Sequence, residues 1–187
     1  YFIIPTINRS SYSKINTVEM NKSIPWRKKI MHSFYYTYKK SEYFDETYTI
    51  LEELVNSKHD LLHEYNSHII KQLCRYFDIT TEITSSHTNY LGMEDQIKNS
   101  TDGKSNRIIE ICKSEGADTY INAYGGRHIY SKDRFTKNNI ELKFIDIPKI
   151  NYNQFNNKFQ EHLSIIDTMM HIGKENTKSI INNYKIL

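Results

Sequence analysis

Asp118-Thr119-Tyr120-Ile121-Asn122-Ala123-Tyr124-Gly125-Gly126-Arg127-His128 is the stretch that decides how this chain is read. A strand-like run enters a glycine pair, and two basic residues follow it. Upstream, residues 104–115 have helical spacing, with Ile108, Ile111 and Cys112 on one face and Gly116 at the C-cap. Downstream, Ser131 opens a short helix to about residue 137, Asn138-Asn139 end it, and residues 141–147 form another strand. Thr81-Glu82-Ile83-Thr84-Ser85 is short and β-rich and supplies a first strand. Residues 81–147 therefore read as β-α-β-α-β with right-handed crossovers. Residues 87–103 are polar, hold two glycines and read as a mobile loop.

Working outward, residues 1–7 read as a strand ended at Pro5 and the turn-prone Asn8-Arg9-Ser10-Ser11. A short extended piece spans residues 15–20. Ser23-Ile24-Pro25 looks like a helix start, with Ser as cap and Pro in the first turn. Trp26, Ile30, Phe34 and Tyr38 then recur every four residues. A second helix covers residues 44–55, with Phe44, Tyr48, Leu51 and Val55 aligned. A third covers residues 61–77, with Leu62, Tyr65, Ile69, Leu73 and Phe77 aligned. After a loop at residues 151–157, helical segments cover 163–171 and 174–184. The fold class is α/β: a small parallel Rossmann-like β-α-β-α-β sheet, a helical N-terminal section and a C-terminal helix. Residues 1–80 and 81–187 read as two sections of one compact domain. The opening Tyr1-Phe2-Ile3-Ile4 reads as the inside of a strand, so an N-terminal segment is expected to be missing.

Composition excludes some classes. Mean hydropathy is −0.68 and no apolar run reaches the roughly 18–20 residues of a spanning helix, so a soluble protein without a membrane partner is expected. The formal net charge of +3 is too small to point to nucleic acid without a clustered basic stripe. The densest basic cluster, Arg27-Lys28-Lys29 with Lys39-Lys40, reads as a solvated helix face. Cys74 and Cys112 fall among apolar helical residues and read as buried, reduced thiols of a cytoplasmic protein.

In an open parallel sheet, ligands sit beyond the C-terminal strand ends. Two such ends are readable: Ser85-Ser86-His87, and residues 123–128. Gly125 and Gly126 allow backbone to approach a ligand and to adopt positive φ, and their N–H groups can hold an anion. Lys104 and Arg107, in the first turn of the crossover helix, add positive charge, as does Arg127. The alternative is an ordinary Gly-Gly turn. Neither GxGxxG nor GxxxxGK[ST] occurs, so no cofactor is identified. His128 is an acid–base candidate beside the glycines, or a plain loop histidine. Asp167, set in an apolar helical stretch, needs a partner and serves structure or the site. His59, His63 and His68 read as surface histidines, and no metal site is expected.

Further residues carry a resemblance. Arg107-Ile108-Ile109-Glu110-Ile111-Cys112-Lys113, then Gly116-Ala117-Asp118-Thr119-Tyr120-Ile121-Asn122 and Gly125-Gly126, stand in order with Asn16-Thr17-Val18-Glu19, Trp26 and Lys39-Lys40-Ser41-Glu42-Tyr43-Phe44 before them. Asn139-Ile140-Glu141-Leu142-Lys143-Phe144 and Leu163-Ser164-Ile165-Ile166-Asp167 with Gly173 follow. The series resembles the WbqC-like protein family over nearly the whole chain. The resemblance implies a cytoplasmic transferase in surface-polysaccharide (O-antigen) synthesis or nucleotide-sugar modification, moving an acyl or aminoacyl group to an amino sugar. The partner it implies is an activated sugar or another anionic small molecule. Where the family more often reads Gly-Pro-Gly-Gly, this chain has Ala123-Tyr124-Gly125-Gly126. Family members also usually carry a Gln-Pro segment before this point, in keeping with a missing N-terminal part.

Two readings follow. In one, Gly125, Gly126, Arg107 and Arg127 hold phosphate or carboxylate while His128 or Asp167 moves a proton. In the other, the chain is a non-catalytic sugar-nucleotide binder or scaffold, with Trp26, Phe34, Tyr35, Tyr36 and Tyr38 as its interface.

Overall fold

The computed structural model describes residues 2–7, 9–85, 89, 90, 93, 103–155 and 158–187. In chain order the first elements are β1 (Thr6–Ile7), β2 (Glu19–Met20), α1 (Trp26–Tyr38), α2 (Phe44–Val55) and α3 (Leu62–Tyr76). Then come α4 (Gly103–Ser114), β3 (Thr119–Ala123), α5 (Lys132–Thr136), β4 (Glu141–Asp146), α6 (Ile165–Asn182) and β5 (Lys185–Ile186). Contacts divide the chain into two units. The first is Tyr1–Ile83 with Ile150–Ile181, and the second is Thr84–Lys149 with Asn182–Leu187.

The first unit is a helical layer. The four-residue spacing of α1 buries Trp26, Ile30 and Phe34, with Met31 beside them. They form one core with Met20, Leu51, Val55, Tyr65 and Met170. Ser23 does not cap α1: the helix begins after Pro25, which makes no side-chain cap bond, and Ser23 N–H instead donates to Asn21 Oδ1 at 2.9 Å. The expected strand over residues 1–7 is confined to Thr6–Ile7, antiparallel to β2, because Pro5 carries no ladder N–H. The two expected C-terminal helical segments are present and meet at a kink at Gly173, where φ is +73° and ψ −178°; together they carry the label α6.

The second unit holds the parallel β3/β4 pair, with Thr119 opposite Glu141 and Ala123 opposite Ile145. β5 adds antiparallel to β4, giving the order β3-β4-β5. Residues 81–85 carry no strand, so the expected three-strand parallel unit is corrected to a mixed sheet with one parallel pair among the described residues. That segment has β-branched residues but a single apolar side chain, Ile83. Strand propensity without a face to bury is a weak preference. Most of the expected loop at 87–103 lies outside the described residues. On α4 the buried positions are Ser105, Ile109 and Cys112, spaced four and three apart. The expected Ile108 and Ile111 are half-buried. Gly116 ends the helix at φ +63°, and Ala117 N–H donates to the Cys112 carbonyl at 2.8 Å. Ile109, Cys112, Phe135, Ile140, Leu142 and Phe144 form this unit's core. Burial pushes the Cys112 thiol up, whereas Cys74, expected to be buried, is only half so.

Candidate functional site

The strongest polar constellation lies in the first unit, around Asp167. This residue sits in the first turn of α6 and is 5% exposed. A carboxylate so placed needs donors, and three are supplied. Tyr38 Oη donates to Oδ1 at 3.0 Å, Tyr152 Oη to Oδ2 at 2.8 Å, and Gln154 Nε2 to Oδ2 at 2.9 Å. Thr168 Oγ1 donates to Tyr152 Oη at 3.2 Å. Gln154 is itself fixed, because its Oε1 accepts from Gln160 N–H at 2.7 Å and its Nε2 also reaches the Gln160 carbonyl. Burial, and then the charge of Asp167, push the Tyr38 phenol well above its ordinary range. Tyr152 shifts upward too, mainly by burial.

One helical turn on, His171 Nε2 lies 3.7 Å from Asp167 Oδ1, and both side chains are 7% exposed. The Phe155 ring meets the imidazole edge-on at a centroid distance of 4.5 Å. Tyr38 and Tyr152 stand at 6.1 and 6.3 Å. This group borders a cavity of about 410 Å³ whose walls include Tyr38, Gln154, Phe155, Lys158, Asp167 and His171. An imidazole beside both a buried carboxylate and a cavity has the composition of a general acid–base pair. The amide groups and Lys158 can bind hydroxyls and negative charge.

The glycine loop lies in the second unit and is a 3₁₀ turn, Tyr124–His128, at the C-terminal end of β3. Positive φ was expected at Gly125 and Gly126, but neither adopts it; among the described residues the glycines that do are Gly116 and Gly173. Gly126 is needed for space: a Cβ there would lie 2.5 Å from Asn122 Nδ2. Asn122 is held because its Oδ1 accepts from Ala123 N–H at 2.7 Å. Nothing lies within 4 Å of where a Gly125 Cβ would be. The Arg127 guanidinium stacks on Tyr124 at 4.0 Å, and its Nε donates to His128 Nε2 at 3.1 Å. Both Arg127 and His128 are exposed.

The remaining candidates are dispersed. Ser85 is half-buried, and its carbonyl accepts from Asn89 N–H. Ser86 lies outside the described residues, and Lys104 is in the first turn of α4 with its side chain outside them. Arg107 is half-buried on α4 near Tyr90, whose phenol is held above its ordinary range mainly by its hydrogen bond to Glu115, the Arg107 charge opposing that shift only slightly. Among the described residues no group of three or more His, Cys, Asp or Glu is arranged to hold a metal ion. Sequence reasoning singled out Asp167 but missed His171, although the four-residue spacing on one helix was a readable signal. Tyr38, Tyr152 and Gln154 could not be paired with Asp167 from spacing, since Tyr38 is 129 positions away.

These features define a mixed α/β protein with an enclosed carboxylate–imidazole pair at a small-molecule-sized cavity. The chain belongs to the WbqC-like protein family, whose model matches residues 1–179. It is similar to the uncharacterized protein Rv1507c of Mycobacterium tuberculosis, with 22% identity over 152 residues, 80% of this chain and 62% of that protein. The chain thus spans less than two thirds of that relative's length. No solved structure matches. No helix among the described residues is long and apolar enough to cross a membrane.

Proposed function

We propose that this chain is a transferase that moves an acyl or aminoacyl group onto the amine of a nucleotide-linked amino sugar in surface-polysaccharide synthesis. The observation that carries the proposal is the Asp167–His171 pair at the wall of a cavity of about 410 Å³. The sugar context is what the resemblance to the WbqC-like family implies. In this reading the sugar amine attacks the activated carbonyl carbon, a C–N bond forms and the bond to the leaving group breaks. The amine proton passes to the His171 imidazole. Asp167 orients that ring and stabilises its cationic form, while Tyr38, Tyr152 and Gln154 hold the carboxylate. Phe155 offers an apolar face to a sugar ring, and Lys158 a positive charge. Taken by itself, the second unit is expected to hold an anion with Arg107, Arg127 and the backbone of Gly125 and Gly126. A substrate of this kind places the reaction in the cytoplasm.

Replacing His171 by Gln keeps the volume and removes the base, so transfer is expected to fall about 10²–10⁴-fold. Binding of the nucleotide sugar, read by calorimetry, is expected to change little. Full turnover in both His171→Gln and Asp167→Asn would sink the catalytic reading. It would favour the non-catalytic alternative, for which the exposed Tyr35 and Tyr36 with Lys39 over both rings are the interface candidates. For the glycine loop, nucleotide-sugar affinity unchanged in both Arg107→Ala and Gly126→Val would overturn its anion-binding reading.

A further inference from the structure

The basic run Arg27-Lys28-Lys29 is not a uniform solvated face. Arg27 is locked: its Nε donates to the Val55 carbonyl at 2.9 Å and its Nη2 to the Ser57 carbonyl at 3.2 Å. The guanidinium also lies 4.2 Å from the Trp26 ring centroid. These contacts use two of its five N–H groups. With Lys22, Lys28 and His32 it borders a cavity of about 500 Å³ in the first unit, where Glu52 is the single lining carboxylate. Among the described residues Lys28 makes no ion pair with a carboxylate, and Lys22 pairs with Asp60 only across an exposed surface. An exposed pair contributes little to stability and exchanges readily for a better anion. Three permanent cations therefore line the cavity with one carboxylate, Glu52, while Asp60 pairs with Lys22 from outside its walls; the guanidinium among them is already immobilised, so little ordering entropy opposes its use. Tyr48 and Asn56 on the same walls can meet an organic part of the ligand.

From this we infer that the cavity bordered by Lys22, Arg27, Lys28 and His32 is a binding site for a phosphate-bearing small molecule. It is separate from the Asp167–His171 cavity and does not rest on the transferase reading.

The test is isothermal titration of the full chain with inorganic pyrophosphate and, in a second arm, with UDP. Saturable binding that weakens with salt is expected. Lys28→Gln should lower affinity about tenfold or more, the scale of one charge-assisted bond. Lys40→Gln, which removes the same charge outside the cavity walls, should leave it unchanged. Tighter binding of UDP than of pyrophosphate supports the site and assigns it an organic part; equal affinities support the phosphate group alone. Absence of binding by either probe would overturn the inference. So would an equal loss in Lys28→Gln and Lys40→Gln, or a response to RNA with none to the small probes.

Discussion

Gly173 shows most directly what one residue contributes. Its φ of +73° with ψ of −178° lies where side-chain-bearing residues are strained, and a Cβ would stand 2.5 Å from Tyr43 Cδ1. The break lets α6 carry Asp167 and His171 before it and continue after it with Lys174 and Lys178 toward Asp78. Gly173→Ala is expected to destabilise the first unit by about 2–4 kcal/mol, from the dihedral and the clash together. Urea unfolding measures it, and a loss below about 0.5 kcal/mol would contradict this account. Gly126 differs in kind, because its backbone is ordinary and what it provides is room for the Asn122 amide. The string places Gly126 at a strand end but does not say which of these two properties of glycine is used.

Among the elements, α1 and α2 are joined by Arg27 as well as by their apolar faces. The carbonyls of Val55 and Ser57, at and just beyond the end of α2, would otherwise lack helical donors, and a cation there also opposes the helix dipole. Arg27→Ala is expected to cost about 2–3 kcal/mol, through two charge-assisted bonds and lost packing on Trp26. Arg27→Lys should recover only part, since an ammonium cannot reproduce the fork. Thermal unfolding of both variants checks the order. Element boundaries were legible where a long apolar period existed: the ranges expected for α2 and α3 match within a residue or so at each end. They were not legible at residues 81–85, where a short β-branched run had no second strand and no core to cover.

For the whole molecule, charge pairs that link distant parts of the chain set how stability responds to pH. Asp78, just after α3, accepts a bond from Lys178 Nζ at 2.7 Å, with Lys174 at 3.8 Å. The bond from Lys178, and then the two lysine charges, hold this carboxyl below its ordinary range. A carboxylate lowered in the folded state adds stability above its unfolded value, about 3.9, and loses it as pH falls through the folded value. Lys178 is raised by the same bond, so its share persists at neutral pH and is lost only as pH rises past about 10.4. The melting-temperature difference between the native chain and Asp78→Asn should hold steady from about pH 5 to pH 9 and shrink toward zero on either side. A difference that grows in acid would refute the assignment.

The sequence by itself determined the local and periodic features. These are the helix faces that close the first unit's core, the glycine stop at Gly116, the break between the helical segments 163–171 and 174–184, the parallel pair flanking the Gly125-Gly126 turn, and a resemblance that the WbqC-like family match bears out. Each depends on neighbours within a few residues, or on an ordered string, and so can be read in one dimension. Tertiary structure alone decided which chain segments share a unit, since residues 150–181 return to the first unit and β5 joins the second. It also decided that Asp167 is satisfied by Tyr38, Tyr152 and Gln154, and that Lys28 faces a cavity with Lys22 and His32. Burial sets the physical reason: a carboxylate that loses water must find donors wherever the folded chain brings them, and sequence separation carries no information about which ones arrive.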